Sequence, residues 1–139
     1  MSAAVFVRDP SHWLFRLSPD EWIAAAMGEL HRAEAAYAKN DARAGLIGAK
    51  RAAGMALNGA LVVAPNETWG RSYVQHVEAV AKDADVPPAV RDACVLLVES
   101  KVPGSDLLGL RSKAGDARVL EAAKDVMAHA YAVVKRHET

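Results

Sequence analysis

At 139 residues and 14.8 kDa the chain has the size of one ordinary domain, long enough to bury a core without disulfide or metal support. Its 52% hydrophobic content comes mostly from Ala, Val and Leu while aromatics reach only 6%, a balance that favours packed helices over a β-sandwich. Seventeen basic residues cancel seventeen acidic ones, so no global field draws a polyanion, although a local basic patch stays open.

Residues 1 to 17 open with Ala3-Ala4-Val5-Phe6-Val7, followed by Asp9-Pro10 in N-cap and N1 positions before a short helix containing Trp13, Leu14, Phe15 and Leu17. So apolar an appendage either closes one end of a bundle or covers a partner subunit. The bundle itself spans 18 to 136. Ser18-Pro19-Asp20-Glu21 starts its first helix, with a Ser cap, Pro at the first helical position and Glu placed for the reciprocal capping bond. This helix runs to about Lys39, with Ile23, Met27, Leu30, Ala33 and Tyr37 on one face. Lys39-Asn40-Asp41 turns the chain, and so short a connection makes the first two helices antiparallel neighbours.

The stretch Asp41 to Ala64 is the element around which the rest is organised. It has no proline, and Leu46, Ala53, Leu57, Leu61 and Ala64 fall on one arc at helical spacing. Ala44, Gly48, Ala52, Ala56 and Ala60 recur every fourth residue, a stripe with almost no side chain that lets a neighbouring helix approach closely. Pro65 to Thr68 ends this helix and begins a third, with Thr68 as its cap and Tyr73, Val77, Val80, Ala81 and Ala84 at helical spacing. A fourth helix from Pro88 to Ser100 carries the run Cys94 to Val98 and is expected to be almost wholly buried. Lys101 to Gly115 then breaks at Pro103-Gly104, Gly109 and Gly115, the longest irregular stretch and the first place to look for a site. Asp116 is expected to cap a last helix striped by Val119, Leu120, Ala123, Val126, Met127, Ala130 and Val134. The fold expected is all-α, a single-domain up-and-down bundle of five main helices.

The run from Gly28 to Val62 resembles the first helical hairpin of HEPN domains, small helical bundles found beside nucleotidyltransferases and in toxin-antitoxin and defence systems. The likeness rests on Leu30 and Ala33-Glu34 late in the first helix, the tight Lys39-Asn40-Asp41 turn, and the alanines leading through Ala52-Ala53 into Leu57, Ala60 and Leu61. It extends over residues 20 to 135 by helix order and length. It implies a nucleotidyltransferase-type protein partner, while the apolar N-terminal appendage and the helix stretches that are apolar all round exceed what a five-helix core needs, so a homodimer is expected. Active HEPN members are ribonucleases that use Arg, a polar residue and His roughly four to six residues after the Arg, near the start of a late helix. This chain departs from that pattern: no such motif falls between Lys101 and Thr139, and Gly54, Met55 and Asn58 stand where the family commonly has a charged face.

One spacing match lies elsewhere, Arg71 to His76, where His would act as general base or acid on a ribose hydroxyl and Arg would hold the phosphate. Five residues apart, the two side chains point about 140° from each other around a helix, so they meet one phosphate only at a helix end or with a second subunit's help. Lys50 is the other oddity, a cation within the apolar arc of the second helix. Either its stem packs while the ammonium reaches water, or it faces an anionic ligand with Arg51 and Asn58 beside it and Trp69 and Tyr73 stacking on a base. Local spacing assembles no metal site from the five histidines and the lone Cys94, and no glycine-rich loop follows a strand, so no metal and no cofactor are expected. Cys94 in its apolar run suits a small core residue in a reducing compartment. With no long apolar leader and no stretch approaching roughly 18 apolar residues, the expected location is cytoplasmic, without a membrane span. The expected function is that of a non-catalytic interaction or small-ligand module, with a ribonuclease using Arg71 and His76, or a bundle without ligand, as the alternatives.

Overall fold

The computed structural model describes residues 16–64, 73–100 and 113–137. Among them are five helices and no strand: α1 (Pro19–Ala38), α2 (Ala42–Val63), α3 (Tyr73–Ala81), α4 (Pro88–Glu99) and α5 (Lys113–Arg136). The chain is an all-α bundle. The segment before Arg16, Thr68 and most of the irregular stretch Lys101 to Gly115 lie outside the described residues.

The α1–α2 hairpin is built by local chemistry. Ser18 accepts from the Glu21 amide at 3.1 Å, and the Glu21 carboxylate accepts from the Ser18 amide at 2.8 Å, so two orphan donors are satisfied at once. At the other end Asn40 adopts φ 64°, and the amides of Asn40 and Asp41 donate to the carbonyls of Tyr37 and Ala36. These are the two bonds of a Schellman ending, which needs one left-handed residue. Asp41 then caps α2, its Oδ1 accepting from the Ala44 amide at 3.1 Å. Two residues thus stop one helix and start the next.

Helix α2 is the centre of the bundle and touches α1, α3 and α5, with the α1 contact the most extensive. The two helices approach so closely that a Cβ on Gly48 would lie 3.1 Å from the Ala33 Cβ, one on Gly45 2.7 Å from the Tyr37 ring, and one on Gly59 3.0 Å from the Pro19 carbonyl oxygen. Those three points run in opposite directions along the two chains, which makes the pair antiparallel. Ala49, Ala52, Ala53 and Ala56 are buried along the same helix, and Leu57 faces the main core with Val80, Leu97, Val126 and Ala130. By length and composition α2 is also apolar enough to cross a bilayer, contrary to the sequence reading, but 78% of its most apolar window is buried by the rest of the bundle.

Three further expectations need correction. The buried stripe of α1 is Trp22, Ala26, Leu30 and Ala33, one residue round from the face expected, so Ile23 and Tyr37 are half-buried and Met27 is exposed. A residue as small as Ala33 suffices there because α2 presents Gly48 to it. Helix α4 is amphipathic rather than wholly buried: Val90, Ala93, Cys94 and Leu97 face inward, while Val98 is exposed. Helix α5 already runs at Lys113, so Asp116 sits in its first turn, where a carboxylate still favours the helix N-terminus, instead of capping it.

Candidate functional site

Lys50 projects from α2 toward the end of α4, where its ammonium donates to the Ser100 carbonyl at 3.1 Å. Ser100 is the C-cap of α4, and its own hydroxyl and amide both donate to the Leu96 carbonyl. A cation on a terminal carbonyl satisfies an orphan acceptor and complements the negative end of the helix. The cleft beside it, lined by Lys50, Val77, Glu78, Leu97 and Val98, holds about 130 Å³. That is a few waters' worth of space and well below the roughly 300 Å³ at which drug-sized ligand sites begin.

The other residues grouped with Lys50 do not gather around it. Arg51, the next residue round the helix, leans toward α1 and lies 3.9 Å from Glu29, which also accepts from Arg32 at 3.1 Å. Asn58 is completely buried, and among the described residues neither its Oδ1 nor its Nδ2 has a hydrogen-bond partner. Tyr73 opens α3, but its side chain and the whole of Trp69 lie outside the described residues. Of the Arg71 and His76 pair, Arg71 is likewise outside, and His76 is fully buried on the inner side of α3 with Val77 and Val80. Cys94 is also fully enclosed, and burial pushes its thiol up to about 12. The thiolate that would be the reactive form is therefore suppressed. Among the described residues no three His, Cys, Asp or Glu side chains come together in a way that could hold a metal ion.

A different surface stands out. Between α1 and α5 runs an open groove of about 470 Å³ whose lining includes Ile23, Met27, Met127, Ala128 and Tyr131. Met27 is 41% exposed and Tyr131 48%, large apolar side chains left at the surface side by side. The groove is closed at each end by an ion pair: Lys135 with Asp20 at 3.5 Å, and Lys124 with Glu34 at 3.6 Å. The Lys135 ammonium also lies 5.2 Å from the Tyr131 ring centroid, within cation–π range. Sequence reasoning missed Tyr131. The signal was available, because Tyr131 falls off the apolar stripe of the last helix and is the one large aromatic on its outer side.

Comparison with protein-family models, with curated proteins and with solved structures finds no match to this chain.

Proposed function

We propose that this protein is a non-catalytic helical bundle that binds another protein through the apolar groove between α1 and α5. The observation that carries this reading is the pairing of exposed Met27 and Tyr131 on one groove whose described lining is apolar except for Lys124, which is paired with Glu34. Apolar patches rimmed by polar groups mark sites of association. The HEPN likeness belongs to this proposal as a likeness of the helical hairpin, and with it the expectation of a protein partner; the reducing compartment is a separate expectation that rests on the lone Cys94. A nucleotide reading has less support, because Lys50 is engaged with a helix end and Arg51 leans away from it. The ribonuclease alternative needs His76 within hydrogen-bond reach of a ribose hydroxyl, and its ring is enclosed.

Methionine-methyl NMR of the full chain tests the reading. Adding the apolar dye anilinonaphthalene sulfonate should shift the Met27 and Met127 signals, while ATP and an RNA oligomer should leave the spectrum unchanged. A thermal stabilisation by ATP that disappears in Lys50→Met would move the working site to the α2–α4 cleft and overturn it.

A further inference from the structure

Resting on that reading of the groove, we infer that its partner is a second copy of this chain, paired about a two-fold axis that runs along the groove parallel to the helices. The distribution of charge selects this arrangement. At both ends of the groove the carboxylate is on α1, Asp20 and Glu34, and the ammonium is on α5, Lys135 and Lys124. All four side chains are 40% exposed or more, so each can take a second partner without leaving the first.

A two-fold axis along the groove lays α1 of one copy over α5 of the other with their ends in register. Every carboxylate then faces an ammonium across the interface. An axis perpendicular to the helices would instead lay α1 on α1 and α5 on α5, setting acid against acid and lysine against lysine, which complementarity forbids. The ion pairs place α1 and α5 antiparallel, so the favoured axis produces a four-helix antiparallel layer with Met27 and Tyr131 at its centre. The 20 residues of α1 make it about 30 Å long, and two helices side by side are about 20 Å wide, so the face offers roughly 600 Å². Stable interfaces bury about 800 Å² per partner, and the groove face supplies most of that. The contact is self-complementary, as a two-fold interface must be.

Sedimentation equilibrium of the full chain, from low to high micromolar concentration, should show the mass rising from 14.8 kDa toward twice that value. Tyr131→Glu should raise the dissociation constant at least about tenfold. Lys124→Glu and Glu34→Lys each place like charges across the axis, so each protein alone should be monomeric, and an equimolar mixture should recover the dimer as a heterodimer. Both substitutions are at half-exposed positions, and unchanged circular dichroism and melting temperature establish that the fold persists. A wild type that stays at 14.8 kDa throughout, or a mixture that fails to restore pairing, overturns the inference. If that monomer still shows dye-induced shifts at Met27 and Met127, only the identity of the partner is lost; if it shows none, the interaction surface falls with it. A monomer whose Met27 signal moves on Trp13→Ala assigns the groove to the chain's own N-terminal segment and equally overturns self-pairing.

Discussion

Replacing Ala52 by leucine tests the close packing of α1 on α2. Ala52 is wholly buried, one turn after Gly48, where the two backbones already leave a Cβ only 3.1 Å from Ala33. Leucine adds three carbons with no space to receive them, and the helices can yield only by moving apart along their whole contact. Overpacking costs about 1–3 kcal/mol, and a site with backbone this near belongs in the upper half, about 2–3 kcal/mol. Helix propensity offsets little, since Ala and Leu are both good helix formers. With an unfolding entropy of about 2.1 cal/mol/K per residue, a chain of this length should lose about 7–10 °C in Tm. With an m-value of about 1.5 kcal/mol/M, its urea midpoint should fall by about 1.5 M. Ala44→Leu, on the same stripe but exposed in the first turn of the helix, is the matched control and should stay within about 0.5 kcal/mol of wild type. Equal midpoints for wild type and Ala52→Leu would refute the close-packed hairpin and remove α2 from the centre of the fold.

Lys50→Met keeps the packed stem but removes the donor to Ser100, and urea unfolding should register a loss of about 1–2 kcal/mol. Asn40→Gly suits the positive φ better than asparagine and should stabilise by a few tenths to about 1 kcal/mol, whereas Asn40→Val should destabilise by about 1–2 kcal/mol in the same assay. Cys94 should resist alkylation at pH 8 in the native protein and react on unfolding, as mass spectrometry of iodoacetamide-treated samples can establish. Its thiol ionises near 9 when unfolded and about 12 when folded. Below pH 9 its contribution to stability is complete; between 9 and 12 the unfolded state alone gives up the proton, so stability falls by up to about 1.4 kcal/mol per pH unit. Cys94→Ala should flatten that part of the stability profile.

The hairpin was legible in the sequence because its determinants are local. Ser18, Pro19, Glu21, Asn40 and Asp41 act within a few residues of themselves, and each performs the capping or turning task its chemistry suggests. The burial of Leu46, Ala53, Leu57 and Leu61 was legible for the same reason, since an apolar arc on a helix needs no knowledge of its neighbours. What depended on distant contacts was not. The spacing of Ile23, Met27 and Tyr37 competes with that of Trp22, Ala26 and Ala33, and the choice depends on how closely α2 approaches, with Gly48 against Ala33 and Gly59 beside Trp22, which the spacing within α1 does not reveal. Lys50 was visible as an anomaly, but its partner lies 50 residues away on another helix. The groove was hidden because it is shared between α1 and α5, and neither helix alone reveals that Met27 and Tyr131 line one surface.

The contact between Gly48 and Ala33 also governs how the bundle can move. Neither residue has a rotatable side-chain torsion beyond its methyl, so this seam has no alternative rotamers through which to slip. Packed surfaces change state by switching between discrete side-chain arrangements, and the point where Gly48 meets Ala33 has only one. The α1–α2 hairpin should therefore behave as a rigid strut. Any rearrangement has to pass through the joints filled by larger, adaptable side chains, such as Leu57, Val126 and Met127 where α5 rests on the hairpin. A partner seated between α1 and α5 would press on that joint, giving its binding a direct mechanical route to the orientation of the last helix.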